Sequence, residues 1–167
     1  MIISANDFAS YANDDRWIGI PYAECDCQAF VEKMLAGVGI RKNWKGSNHM
    51  WREAVSDRKE KNCAALLPGE WLFTIRHDGG ERERGYNDGY GNAVHVGIYL
   101  GNGKVIHSST GGVQYGKASD SRWTHSAKCN YLCYDEPQTS EKELIGKLKK
   151  VLKELEDVLN ELSEIDC

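Results

Sequence analysis

The chain has 167 residues, a formal net charge of -4 and 41% hydrophobic residues. This length and composition suit one globular core with an appendage. A weakly acidic chain without a basic stripe argues against a nucleic-acid-binding protein. No stretch approaches the roughly 20 apolar residues of a membrane span, so membrane insertion is not expected. The N-terminus lacks a basic start followed by an apolar run, so we expect cytoplasmic synthesis without a signal peptide.

The first predicted element is a helix over residues 30–36 that ends near Gly37, because its apolar residues share one face. Cys27 lies where an extended stretch meets the start of this helix, and the preceding Asp26 is a typical helix cap. A thiol at a helix N-terminus feels the positive end of the helix dipole, which lowers its pKa towards the nucleophilic thiolate. The position therefore indicates a candidate nucleophile.

A sheet is predicted after this helix. Residues 70–75 are typical of a strand, and the glycine-rich, charged residues 76–93 of a long loop. Two further strands are predicted over residues 93–100 and 104–108. A helix followed by such strands predicts an α+β domain.

The turn at residues 101–103 decides whether His95 and His107 share a face of the sheet. With a three-residue loop, His107 lies opposite Gly97 and the histidines are diagonal neighbours, roughly 7–8 Å apart at their backbones. With a two-residue Asn-Gly loop, their rings lie on opposite faces. The sequence allows both turns, and only the first gives a usable pair of imidazoles.

The cysteines predict neither a disulfide framework nor a metal site. The chain is not a short secreted protein, and Cys-x-Cys at 25–27 finds no second pair with zinc-ligand spacing. We therefore expect no metal and no cofactor. The six cysteines are Cys25, Cys27, Cys63, Cys129, Cys133 and Cys167.

Residues 138–167 differ from residues 1–137, which defines two predicted domains. From Ser140 the chain has no aromatic residue, starts with a capping-box pattern and then repeats apolar residues at spacings of 4 and 3. The apolar positions are Leu144, Leu148, Val151, Leu155, Val158, Leu162 and Ile165. This amphipathic helix packs either on its own domain or with copies of itself. The strict heptad favours a homo-oligomer through residues 140–167, and Leu at a with β-branched residues at d favours a tetramer.

Several segments together resemble a known family. They lie in the same order and with similar spacing as in the NlpC family of papain-like cell-wall cysteine peptidases, over roughly residues 17–115. Gln28 and Ala29 stand where that family usually has Ser and Gly, which bears on substrate preference more than on reaction type. The matching segments are Pro21-Tyr22 with Asp26-Cys27, then Pro68-Gly69-Glu70, then His95-Val96-Gly97-Ile98-Tyr99-Leu100-Gly101, and Ile106-His107-Ser108.

The resemblance implies a papain-like α+β fold in which an N-terminal helix packs on an antiparallel sheet. It implies Cys27 as nucleophile, His95 as base and His107 as the orienting third member. Tyr22 and Gly97 are then expected on the substrate and oxyanion side. The implied reaction is acyl transfer, in which the thiolate attacks an amide carbonyl, His95 protonates the leaving amine and water releases the acyl-enzyme.

The expected function is hydrolysis of peptidoglycan stem peptides, as a phage or prophage lysin with D,L-endopeptidase activity. Such a lysin reaches the cell wall after holin-type release or from a virus particle. Three alternatives remain open: an N-acetylmuramoyl-L-alanine amidase on the same fold, a non-catalytic wall-binding module, and a structural protein of a virus particle. An intact nucleophile with both histidines argues against the binding module.

Overall fold

The computed structural model describes residues 3–77, 88–134 and 148–155. The chain divides into two compact units, Met1–Tyr134 and Asp135–Cys167. In the first unit, the described helices are α1 (Ala5–Ala12), α2 (Cys27–Gly37) and α3 (Ser47–Glu53). The described strands are β1 (Ile3–Ser4), β2 (Val55–Glu60), β3 (Trp71–Arg76), β4 (Asn92–Gly101), β5 (Lys104–Ser109), β6 (Gly112–Lys117), β7 (His125–Cys129) and β8 (Leu132–Cys133).

Six of these strands form one sheet in the order β2-β7-β3-β4-β5-β6. All of its neighbouring strands are antiparallel. The short strands β1 and β8 pair in parallel beside it. The α+β fold predicted from the sequence, with a helix before an antiparallel sheet, is confirmed. Residues 78–87, most of the predicted long loop, lie outside the described residues.

Both faces of the sheet are covered. Helix α2 buries its predicted apolar face in the main core, which includes Val96 and Ile98 of β4. Because side chains alternate along a strand, Tyr99 lies on the other side of β4. There it belongs to a second, smaller buried cluster. Its members are Leu66, Leu72, Tyr99, Val105, Ala118 and Trp123.

The β4–β5 turn is the shorter of the two alternatives, the two-residue Asn-Gly loop, but a β-bulge accompanies it. It is a two-residue turn in which Asn102 and Gly103 have positive φ angles of 50° and 74°, as a type I′ hairpin requires. Such a turn by itself places the two histidines on opposite faces. However, the register shifts between Tyr99 and Gly101. This β-bulge inserts one residue into β4 and brings the two histidine side chains back to the same face of the sheet.

The bulge has a direct consequence for the histidines. Beyond it, Ile98 pairs with Ile106, and the next pair in this register joins Gly97 with His107. His95 and His107 therefore share one face as diagonal neighbours, which is the arrangement that the three-residue loop was needed to produce.

The described part of the second unit is a helical segment, residues 148–155. Its apolar side chains are more than half exposed. They are Leu148, Val151, Leu152 and Leu155. The remainder of the predicted heptad seam lies outside the described residues, so the oligomer stays a prediction. Over residues 3–77, 88–134 and 148–155, no helix has the length and apolar character needed to cross a membrane.

Candidate active site

Cys27 is the first residue of α2, and Asp26 caps that helix by accepting a hydrogen bond from the backbone of Ala29 at 2.8 Å. The Cys27 thiol is hydrogen-bonded to the Tyr22 hydroxyl and to the backbone of Val96 in β4. Because Val96 directly follows His95, the sulfur meets β4 next to the predicted base. Cys27 thus lies at the start of a helix, as predicted, and its side chain lies against the strand that carries His95.

The segment that leads to Cys27 is fixed to the sheet at two points. Backbone hydrogen bonds of 2.9 Å join Gly19 to Val113 and Val113 to Ile20, so the segment adds to the edge strand β6. Further along, the buried hydroxyl of Ser108 donates to the carbonyl of Cys25 at 2.5 Å. These bonds hold the start of α2 against β5 and β6, which limits the freedom of the nucleophile.

Gln28, which departs from the family pattern, has a definite structural role. Its side-chain amide donates to the carbonyl of Trp44 at 2.6 Å and to the carboxylate of Glu32 at 2.7 Å. The same carboxylate oxygen accepts the backbone N–H of Trp44 at 2.6 Å. Gln28 therefore ties the connection between α2 and α3 to the first turns of the nucleophile helix.

Helix α3 holds the start of the histidine strand. The Asn48 side-chain oxygen accepts the backbone N–H of Ala93 at 3.1 Å and an Arg52 guanidinium hydrogen bond at 2.6 Å. Arg52 in turn makes two bonds to the Asp88 carboxylate, at 2.8 and 2.9 Å. Bidentate pairs of this kind fix geometry well. The chain is therefore anchored two residues before His95.

The two predicted histidines are in direct contact. Nε2 of His95 lies 3.0 Å from Nδ1 of His107, and their ring centroids are 5.0 Å apart with an interplanar angle of 89°. In a neutral pair, one of these nitrogens donates and the other accepts. Nδ1 of His95 remains as the nitrogen for exchange with the thiol proton. This arrangement suits the base and orienting roles that the resemblance implies.

Trp123 completes the histidine cluster, and no sequence pattern indicated that it belongs to the site. Its ring stacks on His95 at 5.4 Å and 19° and meets His107 edge-on at 5.3 Å and 85°. Gly97 lies buried beneath this cluster. A Cβ atom there would come within 2.8 Å of the Trp123 ring and 3.1 Å of His107 Cβ. The structure thus places Gly97 where its missing side chain leaves room for the three rings.

Burial dominates the electrostatics of the site. Desolvation raises the pKa of the Cys27 thiol, the charge of Asp26 adds to this, and hydrogen bonds from Val96 and Gln28 oppose it only in part. Burial likewise lowers the pKa of His95 from 6.5 to about 4, with further contributions from His107 and Arg122. Burial therefore works against the thiolate that the helix-start position favours, because desolvation raises the pKa of the thiol more than the neighbouring hydrogen bonds lower it. Both shifts favour an uncharged thiol and an uncharged imidazole.

A neutral pair still supports nucleophilic chemistry. An uncharged imidazole takes the thiol proton as the sulfur attacks, which is general-base activation. Burial and the neighbouring Cys27 also raise the pKa of Tyr22. Tyr22 therefore keeps its proton and remains a hydrogen-bond donor at the site.

Two open cavities border this cluster. One, of about 640 Å³, lies on the His95 side. The other, of about 560 Å³, lies on the Tyr22 side and is lined mainly by the segments around residues 19–23 and 110–112. A chain-like ligand at the site thus has open space beside His95 and beside Tyr22.

Comparisons with known proteins agree with this fold. The NlpC/P60 family model matches residues 15–130. Similar solved structures include an NlpC/P60 family protein from Bacillus cereus, with a TM-score of 0.56 and 22% identity over 80% of this chain and 42% of that one. A second is the NlpC/p60 domain of the peptidoglycan hydrolase SagA, with a TM-score of 0.55 and 19% identity over 75% of this chain and 99% of that one. A third is the P60 domain of an M. avium subspecies paratuberculosis antigen, with a TM-score of 0.54 and 17% identity over 77% of this chain and 98% of that one.

The identities are low, so these structures bear on the fold alone. This chain spans less than half the length of the Bacillus cereus protein. None of the curated proteins compared with this chain matches it. The family match spans more than half of the chain and includes Cys27, His95 and His107. The chain therefore belongs to the NlpC/P60 family.

Proposed function

We propose that this protein hydrolyses amide bonds in the stem peptides of bacterial peptidoglycan, with Cys27 as nucleophile, His95 as base and His107 as the residue that orients His95. One observation carries the proposal. The Cys27 thiol, at the start of α2, lies within reach of the backbone of Val96, and the preceding residue, His95, has its Nε2 held 3.0 Å from His107. One of the similar structures is a domain of a peptidoglycan hydrolase, which supports this substrate class.

The reaction follows from the neutral pair. Nδ1 of His95 takes the Cys27 proton while the sulfur bonds to the amide carbon and the carbonyl electron pair moves onto oxygen. The backbone N–H at the start of α2 and the Tyr22 hydroxyl are placed to donate to this oxyanion. His95 then gives its proton to the leaving amine as the C–N bond breaks, which leaves a thioester. Water attacks the thioester, His95 takes a proton from it, and the acid and the thiol are released.

The finer proposal is D,L-endopeptidase activity. Open cavities lie beside His95 and beside Tyr22, which gives room for a peptide that continues in both directions from the cleaved bond. An N-acetylmuramoyl-L-alanine amidase instead accepts a sugar-linked lactyl group on one side. We further propose a phage or prophage lysin that reaches the wall by holin-type release or from a virus particle.

Self-association is a separate part of the proposal. The helix of residues 148–155 exposes four apolar side chains, and the heptad repeat of residues 140–167 supplies the register for a homo-oligomer, a tetramer in preference. Sedimentation analysis of the full chain and of a chain that ends at residue 139 tests this. We expect assembly of the full chain only, with hydrolysis by both; a monomeric full chain contradicts the oligomer.

The hydrolytic proposal is tested by digesting defined muropeptides with the native protein, with Cys27→Ala and with Cys133→Ala. Cys133 is an exposed cysteine outside the site, so its variant controls for loss of a thiol. Mass spectrometry of the products identifies the bond. Cleavage between stem-peptide residues by the native protein and by Cys133→Ala, with none by Cys27→Ala, supports the proposal. Release of the whole peptide from muramic acid indicates the amidase, and an intact substrate contradicts both.

A further inference from the structure

The cavity on the His95 side has a composition that the reaction itself does not require. It is lined by Arg76 at the end of β3 and by Asp120, Ser121 and Arg122 from the connection between β6 and β7. A strand and a connection that are far apart in the sequence thus bring two arginines to one open space of about 640 Å³ beside the imidazole.

Among the described residues that line this cavity, the charges do not cancel. The Asp120 carboxylate accepts the backbone N–H of Arg122 at 2.9 Å and lies 3.1 Å from its Nε, so it occupies one edge of that guanidinium. The Arg122 side chain is 46% exposed, which leaves its other edge towards the cavity and solvent. Arg76 forms no ion pair with another residue of the described ranges. The Lys61 ammonium, 2.9 Å from the carbonyls of Ala118 and Asp120, adds a third cation nearby.

We infer that Arg76 and Arg122 form a subsite for a carboxylate of the substrate peptide, immediately beside the amide that Cys27 attacks. A guanidinium binds a carboxylate through two parallel hydrogen bonds, and two guanidinium groups that face one cavity suit a single anionic group. Hydroxyls of Thr74 and Ser121 on the same cavity wall supply further donors. The inference rests on the proposed function for the cleaved bond and adds the charge of the neighbouring substrate group.

A carboxylate bound at this subsite also changes the basicity of His95. Arg122 contributes to the low pKa of both His95 and His107, after burial. A carboxylate bound to Arg122 offsets that positive charge, whereas Asp120 already does so on the opposite edge. His95 therefore becomes a stronger base when the matching substrate is bound, which links recognition of the carboxylate to turnover as well as to affinity.

The test measures binding without turnover. Full-length Cys27→Ala protein is titrated calorimetrically with pairs of stem peptides that are identical except that one carboxyl, taken in turn, is free or amidated. For one carboxyl, we expect the free form to bind about tenfold more tightly, as for a charge-assisted pair. When Arg76→Gln or Arg122→Gln is added to the Cys27→Ala protein, this preference should be lost. The control is Arg41→Gln, at an exposed arginine on the connection between α2 and α3, and it should keep the preference.

Equal affinity for every free and amidated pair, binding of neither form, or a preference that survives both arginine changes would overturn the subsite. Circular dichroism of each variant shows that the fold is retained, and the comparison between peptides needs no change at an arginine. Hydrolysis by protein with Cys27 intact separates the two proposals. Equal cleavage of free and amidated peptides overturns the subsite and leaves the proposed function standing. Carboxylate-dependent binding without cleavage supports the subsite and contradicts the function.

Discussion

Nε2 of His95 lies 3.0 Å from Nδ1 of His107, with the two rings perpendicular at 89°. This contact fixes the plane and the tautomer of His95, because one nitrogen of the pair donates while the other accepts. It also means that His107 acts through His95 rather than on the substrate. His107 is therefore a positioning residue, and its contribution should appear in kcat rather than in KM.

We expect His107→Leu to lower kcat by about 100-fold with little change in KM, because the His95 ring loses its partner. His107→Asn should recover most of this loss, since an asparagine amide reaches the position that Nδ1 of His107 occupies. Steady-state kinetics on a soluble stem peptide provide the measurement. Equal kcat values for His107→Leu and the native protein would remove His107 from the mechanism.

Trp123 should matter through its stacking on His95, at 5.4 Å and 19°. The aromatic face stabilises the imidazolium that forms when His95 takes the thiol proton, an effect of about 0.5–2 kcal/mol. We expect Trp123→Phe to stay within a few-fold of native kcat and Trp123→Leu to fall by about tenfold. If both variants lose activity equally while remaining folded, the indole acts through its size and not through its face.

Ionisation of the nucleophile gives a pH-dependent prediction. Burial raises the pKa of Cys27 above its ordinary value of 9.0, so its alkylation by iodoacetamide should accelerate only in alkaline solution. Tyr22→Phe should move this acceleration to still higher pH, because the Tyr22 hydrogen bond lowers the pKa of the thiol. Peptide mapping separates Cys27 from the exposed Cys63 and Cys133. Rapid alkylation that is constant between pH 5 and pH 7 would instead reveal a preformed thiolate.

The histidine cluster also predicts loss of stability in acid. The folded-state pKa of His95 is about 4, below its ordinary 6.5, so the unfolded chain binds protons first. The stabilising contribution is full above pH 6.5 and is lost as pH falls towards 4, by about 3 kcal/mol. Urea unfolding at pH 7.5 and pH 4.5 measures it. His95→Gln should show a smaller difference between the two pH values than the native protein, and an equal difference would contradict the assignment.

The sequence predicted the elements that hold the nucleophile and the histidines because each has a strong local pattern. The apolar face over residues 30–36 indicated α2, and alternation around His95 indicated β4. Whether the two histidines share a face of the sheet could not be predicted in this way. A two-residue turn and a β-bulge between Tyr99 and Gly101 compensate for each other, and bulges leave little trace in composition.

Burial was the second property that local patterns did not show. The helix dipole at Cys27 is visible in the sequence, whereas the burial that raises the pKa of its thiol arises only from the packing of the fold. Trp123 was similarly hidden, because it comes from an irregular segment before β7 and reaches His95 only through the fold. Gln28 contacts Trp44 across a connection whose path no periodicity predicts.

The central claim is that the Cys27 sulfur forms the bond to the substrate carbonyl. The most direct measurement uses a stem-peptide aldehyde with a ¹³C-labelled carbonyl, which traps an attacking thiol as a hemithioacetal. The adduct is then located by structure determination or by carbon NMR, without chemical reduction. The account predicts one adduct per chain, on Cys27, with loss of hydrolysis in proportion to adduct and no adduct in Cys27→Ala. An adduct on another cysteine, or undiminished hydrolysis by protein that is fully converted to the adduct, would contradict it.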